Sequence, residues 1–331
     1  AQGITIDTAR SFFKTAKRRY IIIDAPGHIE FLKNMITGAS RADAVFIVID
    51  AKEGIQENSR RHGYIVSMLG IGQVSIILNK MDLVGYDELK FKEIVREYSE
   101  FLARLNLHPV SFIPISAING VNISARSAET AWFNGPTVVE QFDAFELKDS
   151  RASLPFRMPL QDVYKFTEAD DDRRIFAGTI SAGTAKVGDE ILFLPSGKTS
   201  TIKSIESFNT PVKQNASAGE AIGFALATQV YVRPGELMVR TSDPSPLVGT
   251  RFRVNIFWMG RAPLIRDKKY TIKLNAARSS VSLVKILNII DASDLSSETN
   301  KQQVDRHDVA ECMLETQRPV AFDLISDIKF T

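Results

Sequence analysis

The stretch that most limits what this chain can fold into is Tyr20-Ile21-Ile22-Ile23-Asp24-Ala25-Pro26-Gly27-His28. It reads as an apolar strand ended by an acid, a proline and a glycine. Phe31, Met35 and Ile36 follow at helical spacing. A strand that passes through a short loop into a helix puts that loop at the carboxyl end of a parallel sheet, where open α/β folds bind their ligands. Asp24 there offers hard oxygens to Mg²⁺, directly or through water, and Gly27 lets the main chain approach a ligand closely. Two further strands end in the same way. Ser75-Ile76-Ile77-Leu78 runs into Asn79-Lys80-Met81-Asp82, and Phe112-Ile113-Pro114-Ile115 runs into Ser116-Ala117. Three polar signatures at three strand ends point to one site.

Together these strings resemble the G-motifs of the translation-factor class of GTPases. The resemblance implies that Asp82 accepts two hydrogen bonds from the N1 and N2 edge of guanine, with Asn79 beside it, Lys80 packed over the base, and Ser116 and Ala117 closing the pocket. Adenine lacks the matching donors, and a buried carboxylate left unpaired costs more than a lost contact, so such a site rejects it. Ala1-Gln2-Gly3-Ile4-Thr5-Ile6-Asp7 is similar to switch I of these proteins, which makes Thr5 a Mg²⁺ ligand together with Asp24 and a contact of the γ-phosphate. By the same resemblance the Gly27 N–H meets the γ-phosphate and swings away when it leaves. His28 orients the attacking water, in a reaction that needs positioning and charge stabilisation more than covalent chemistry. The implied cofactors are GTP or GDP and Mg²⁺.

In that family a glycine-rich phosphate loop precedes switch I, and the sequence contains no such motif. Pro195-Ser196-Gly197-Lys198-Thr199 lacks the first glycine and stands between two strand-like runs, as a hairpin turn does, whereas a phosphate loop leads from a strand into a helix. The strand before a phosphate loop would lie between the strand ending at Asp24 and the strand over 44–49. Its absence predicts two apolar strand edges facing a gap about two strand spacings wide. The expectation is an N-terminally truncated part of a longer protein that by itself hydrolyses GTP poorly or not at all.

With 331 residues, 44% of them hydrophobic and 24% charged, the chain has room for two or three globular domains. A net charge of +2 gives no argument for a nucleic-acid or membrane surface. The single cysteine, Cys312, excludes a disulfide framework within the chain and fits a reducing cytoplasm.

Further strings narrow the resemblance. Arg60-Arg61-His62 followed by Met68-Leu69-Gly70-Ile71, then Asn79-Lys80-Met81-Asp82-Leu83-Val84-Gly85-Tyr86, and Trp132-Phe133-Asn134-Gly135-Pro136-Thr137 before a last helix, look less like elongation factor Tu than like the GTPase subunit of bacterial sulfate adenylyltransferase. Arg60, Arg61 and His62 read structurally as a solvated helix face, with a subunit contact as the alternative.

The rest of the chain changes character. After a polar linker over 148–153, short strands with close-set turn residues indicate a closed antiparallel barrel, and after Asp243-Pro244-Ser245-Pro246 a second run of strands indicates another. The acidic run 168–172 reads as a solvated turn, His307 as a surface residue, and Trp258, in Phe257-Trp258-Met259, as core packing. Relatives continue beyond Thr331, so the C-terminus is expected to be incomplete.

The predicted architecture is therefore α/β plus all-β. A partial doubly wound GTP-binding domain over 1–146 is followed by antiparallel barrels over 153–243 and 247–331. The resemblance implies the regulatory subunit of a two-subunit sulfate adenylyltransferase. Its partner would be a separate small catalytic subunit that binds ATP and sulfate and forms adenylyl sulfate and pyrophosphate. A translation factor delivering RNA, and a nucleotide-binding module without catalysis, are the alternatives.

Overall fold

The computed structural model describes residues 8–27, 32–40, 42–146, 151–165, 173–207, 213–290, 296–298 and 301–328. The chain divides into two compact units: residues 1–147 with 289–298 and 306–309, and residues 148–288 with 299–305 and 310–331.

In the first unit the hairpin β1 (Ala9–Lys14) and β2 (Arg19–Asp24) is followed by α1 (Leu32–Ala39), β3 (Val45–Asp50), α2 (Glu57–Met68), β4 (Val74–Asn79), α3 (Glu88–Arg104), β5 (Ser111–Pro114) and α4 (Val138–Ala144). Strands β3, β4 and β5 form a parallel sheet in that order, with Asp50 opposite Asn79 and Leu78 opposite Pro114. Strand alternation sorts the core. Ile47, Ile49, Ile76 and Leu78 face the cluster that holds Val66 of α2 and Phe91, Ile94, Tyr98, Phe101 and Leu102 of α3. Ile77 and Ile113 belong to a second cluster with Val138 of α4, against which Phe46 and Phe142 pack.

The buried positions of α3 recur at intervals of three and four, which is the stripe a helix needs to cover a sheet. Asp87 caps the helix by accepting the N–H of Leu89, and Arg104 stands in its last turn. Each such large apolar residue taken out of water contributes roughly 1.5–3 kcal/mol before the entropy of ordering it is counted. Helix α4 opens with a reciprocal capping box between Thr137 and Glu140, so the loop Trp132–Thr137 ends in a helix start.

The hairpin does not join this sheet. β1 pairs with β2, and β3 is an edge of the three-stranded sheet. Ile21 (61%), Ile22 (37%), Phe12 (74%) and Val48 (57%) are exposed, an unusual fate for strand hydrophobics. The hairpin is held through α4 and also lies against α1, where Ile23 stands beside Gly38. Phe142 packs against Phe13 at 5.0 Å and Tyr20 at 5.4 Å on one side and Phe46 of β3 at 4.8 Å on the other. The Asp143 carboxylate accepts from the Thr15 hydroxyl at 2.7 Å and, over a shorter distance, from the Tyr20 hydroxyl. Arg18 donates to the Phe145 carbonyl at 2.8 Å.

In the second unit β6 (Arg157–Lys165), β7 (Arg174–Thr179), β8 (Thr184–Lys186), β9 (Glu190–Leu194), β10 (Lys198–Glu206), β11 (Asn215–Ser217), β12 (Ala221–Leu226) and β13 (Leu237–Arg240) follow in sequence. Six of them close into a barrel in the order β10-β12-β7-β6-β13-β9, which leaves no free edge. Phe156, Met158, Phe193, Phe224 and Met238 fill it with no exposure to solvent. Gly183 is required where it stands. Its φ is +75°, and a Cβ there would lie 2.4 Å from the Phe156 Cα. The 195–199 segment is the β9–β10 turn, with Lys198 opposite Phe193.

Strands β14 (Leu247–Phe257), β20 (Val309–Phe322), β17 (Ala277–Ile290) and β16 (Lys269–Leu274) lie side by side, with β18 (Ser297–Glu298) also on β17 and β15 (Leu264–Ile265) paired to β19 (Gln303–Val304). The Pro-rich junction after the barrel is tied down rather than a free spacer. Arg157, 1% exposed, makes a forked pair with Asp323 at 2.9 and 3.0 Å and donates to the Pro244 carbonyl at 2.7 Å, while Asp243 accepts the Phe156 N–H at 2.6 Å. Trp258 is half-buried instead of a core residue. Its Nε1–H donates to the Ala262 carbonyl at 2.8 Å, and its ring covers Gly260, where a Cβ would meet it at 2.6 Å. His307 also departs from a plain surface residue, with φ +74° and an Nε2 that is buried without a hydrogen-bond partner among the described residues. The acidic run 168–172 lies outside the described residues.

Candidate functional site

The candidate site belongs to the first unit and is built on the carboxyl ends of β3, β4 and β5, which come level because those strands are parallel and in register. The ladder continues past the strands. The Ile115 N–H donates to the Leu78 carbonyl at 2.8 Å and the Met81 N–H to the Ile115 carbonyl at 3.1 Å. These bonds bring the segment after Asn79 beside the segment after Pro114.

Asn79 Oδ1 accepts the N–H of Lys80 at 2.8 Å and the N–H of Ala117 at 3.0 Å, so one side-chain oxygen clamps two of the predicted motifs together. Lys80 then takes a left-handed backbone, φ +63°, a costly conformation for a non-glycine residue and one that concentrates at functional sites. Its ammonium lies 2.7 Å from Asp50 Oδ2. Burial pushes the Asp50 carboxyl up, but Lys80 and the N–H groups of Lys52 and Glu53 outweigh it and leave the group below the ordinary carboxylate range. The hydrogen bond to Asp50 in turn raises Lys80.

Met81, fully buried, anchors a short 3₁₀ turn over Met81–Val84. That turn presents Asp82 half-buried, with a carboxylate that makes no hydrogen bond or ion pair among the described residues. Ser116 is fully buried, and its hydroxyl accepts the Asn119 N–H at 3.4 Å. The buried Asn122 fixes the far side of this loop by donating to the Pro114 carbonyl and the Thr130 hydroxyl, both at 2.8 Å, and accepting the Ser127 N–H at 3.1 Å. Asn119 donates to the Tyr86 hydroxyl at 3.2 Å, and Trp132 to the Tyr86 carbonyl at 3.0 Å.

Asp24 and Gly27 lie apart from this framework, on and just beyond the hairpin. The Asp24 carboxylate is exposed and takes no hydrogen bond among the described residues, which suits a ligand for a hydrated cation. Gly27 is exposed and meets His62 of α2, whose Nε2 lies 3.2 Å from the Gly27 carbonyl oxygen. Thr5 and His28 lie outside the described residues. The neighbours of His62 are engaged too: Arg60 pairs with Glu97 at 2.9 Å, and Arg61, whose side chain is only 12% exposed, pairs with Glu57. The string is therefore not a freely solvated face.

Comparison with known proteins settles the family. Residues 1–169 match the elongation factor Tu GTP binding domain family, and residues 251–331 the GTP-eEF1A C-terminal domain-like family. The chain is 35% identical over 330 residues to sulfate adenylyltransferase subunit 1 of Laribacter hongkongensis, covering all of this chain and 68% of that one. The chain belongs to the sulfate adenylyltransferase subunit 1 family of GTPases. It is also 35% identical to the bifunctional enzyme NodQ of a Rhizobium species, again across its whole length but over 50% of that protein. The chain thus spans from half to two thirds of the length of these relatives. A solved structure of Sup35 complexed with GDP superposes with a TM-score of 0.51 at 24% identity, covering 97% of this chain and 78% of that one, which shows a shared fold.

Within this family frame, Asp50, Asn122, Tyr86 and His62 are the residues that the sequence reading missed or left unassigned. Asp50 was within reach of the same logic that found Asn79, since each is the polar residue closing an apolar strand. Asn122 and Tyr86 carry no such mark, because their partners come from loops that only the fold brings close.

Proposed function

We propose that the chain binds guanine nucleotide through Asn79, Lys80, Asp82, Ser116 and Ala117 and serves as the GTP-hydrolysing, regulatory subunit of sulfate adenylyltransferase. The observation that carries this reading is the clamp at Asn79, which joins the Asn-Lys-x-Asp and Ser-Ala segments around an open Asp82 carboxylate. A carboxylate held there with free acceptors suits the two adjacent donors of guanine and leaves adenine unpaired.

On the phosphate side, Thr5 and Asp24 are the proposed ligands of a Mg²⁺ ion, which would neutralise phosphate charge. Gly27 would offer its N–H to the γ-phosphate, and His28 would orient the attacking water. The proposed partner is a separate catalytic subunit that joins ATP and sulfate. Forming a phosphate–sulfate anhydride is strongly uphill, so coupling it to GTP hydrolysis gives the second nucleotide a purpose. A partner that contacts the GTP and GDP forms differently would receive that free energy. Among the described residues no helix is long and apolar enough to cross a membrane. The proposed location is the cytoplasm, in keeping with a buried, free Cys312 whose thiol burial pushes up to about 11.

The test is pyrophosphate release from ATP by the full-length protein co-purified with its small subunit, with and without sulfate and GTP. Sulfate-dependent release that rises with GTP is the expected result. Release indifferent to sulfate, together with GTP-dependent binding of aminoacyl-tRNA, would move the protein to the translation factors.

A further inference from the structure

Of the three residues Arg60, Arg61 and His62, the two arginines are engaged by Glu97 and Glu57, and the histidine reaches across 35 positions of sequence to the Gly27 carbonyl. A carbonyl oxygen only accepts, so His62 Nε2 carries the proton and donates. Burial lowers the His62 pKa, and Arg61 adds to that while the Gly27 carbonyl opposes it, so the ring is favoured in its neutral, singly donating form. This hydrogen bond is the one Gly27 makes among the described residues. It restrains the residue whose backbone is otherwise the freest in the segment. The carbonyl of Gly27 and the N–H of the next residue form one planar peptide, so holding the oxygen fixes the whole plane.

We infer that His62 is a positioning residue for GTP hydrolysis: by holding the Gly27 carbonyl it sets the peptide through which the chain passes from Gly27 into His28. The inference rests on the proposed roles of Gly27 and His28. It gives α2 a part in the reaction, because any movement of that helix changes where the peptide is held. It also supplies a contact that must be remade when the glycine swings between nucleotide states, a differential interaction of the kind a switch requires.

The experiment compares wild type, His62→Ala, His62→Gln and His28→Ala in the full-length protein with its partner subunit, measuring kcat for GTP hydrolysis, GTP and GDP affinities by fluorescent-nucleotide titration, and Tm. His62→Ala is expected to lower kcat about five- to tenfold, the size of one net hydrogen bond, with both affinities within about twofold because the base clamp is untouched. His62→Gln, which keeps an N–H donor, is expected to recover most of the rate. An unchanged kcat in His62→Ala beside a slowed His28→Ala overturns the inference and leaves the site reading standing. A loss of Tm and of nucleotide affinity in parallel with kcat, not rescued by Gln, marks a purely structural histidine and overturns it as well. An unchanged kcat in His28→Ala overturns the underlying reading of the phosphate side.

Discussion

The two sides of the candidate nucleotide site are built in different ways. On the base side, the motif residues emerge from β4 and β5, whose apolar residues Ile76, Leu78 and Ile113 have no solvent exposure, and their backbone continues the parallel ladder into the loops. Every segment there is cross-tied: Asn79 to Ala117, Lys80 to Asp50, Asn119 to Tyr86, Asn122 to Pro114. On the phosphate side, Asp24 and Gly27 lie on and just beyond a two-stranded hairpin whose Phe12, Ile21 and Ile22 remain exposed. It is held by Phe142, Asp143 and the Phe145 carbonyl, with Ile23 beside Gly38 of α1 and the Gly27 carbonyl against His62. An isolated two-stranded hairpin is marginal in water. The base side is therefore preorganised by the core, while the phosphate side is held by a few replaceable contacts. Switching asks for that asymmetry, since the element that moves must come from the less stable end of the molecule.

The comparison breaks most sharply at Asp82. Replacing it with Asn removes an acceptor that would take two hydrogen bonds from guanine. At about 1.5–3 kcal/mol for each bond to a charged group, GTP affinity should fall roughly 10²- to 10⁴-fold. Preference should shift toward xanthine nucleotide, whose edge offers the complementary acceptor. Isothermal titration with GTP and XTP checks it, and unchanged GTP affinity would remove Asp82 from the base pocket. Because Asp82 lies in a turn and bonds to nothing else described, the melting temperature should hardly move.

Phe142→Ala probes the other side. The ring touches Phe13, Tyr20 and Phe46 from a half-buried position, so its loss should cost roughly 2–4 kcal/mol through vanished contacts and a cavity. Native-state hydrogen exchange should show the loss concentrated in β1 and β2, with β4 retaining its protection. Equal loss across both regions would mean that hairpin and sheet open as one unit and that the contrast drawn between them is wrong.

The same asymmetry governs how much could be read from the sequence. Motifs at the ends of continuous apolar strands were legible, because β4 needs no distant partner to announce that Asn79 ends it. The parallel sheet, the barrel strands and the β9–β10 turn at 195–199 follow from periodicity and turn chemistry. What escaped depends on contacts between segments far apart in the chain. Lys80 was assigned to the base alone because nothing local shows that β3 delivers Asp50 to its ammonium. Arg60, Arg61 and His62 read as a solvated face because helix periodicity cannot report that Glu97 and the Gly27 carbonyl stand opposite. Trp258 looked like core because an aromatic string carries no record of Gly260 folding beneath it.

The smallest expected effect concerns Asp143 and acid. Hydrogen bonds from the Tyr20 and Thr15 hydroxyls outweigh the opposing burial effect and hold this carboxyl below its ordinary value, while burial, and then Asp143 itself, pushes Tyr20 above the ordinary phenol range. A carboxyl lowered by folding contributes its stabilisation above the unfolded value and loses it as pH falls through the folded one. A phenol raised by folding contributes below its unfolded value and loses it only as pH rises through the folded one. The Tyr20–Asp143 contact should thus persist across neutral pH and weaken below about pH 4, where carboxylates begin to protonate. Hydrogen-exchange protection factors, which divide out the intrinsic pH dependence of exchange, should show β1 and β2 losing protection on acidification before β4 does. Asp143→Asn should lower that protection slightly at neutral pH and flatten its acid dependence. If the variant retains the full acid response, a different titrating group loosens the hairpin, and Asp143 is not its acid-sensitive anchor.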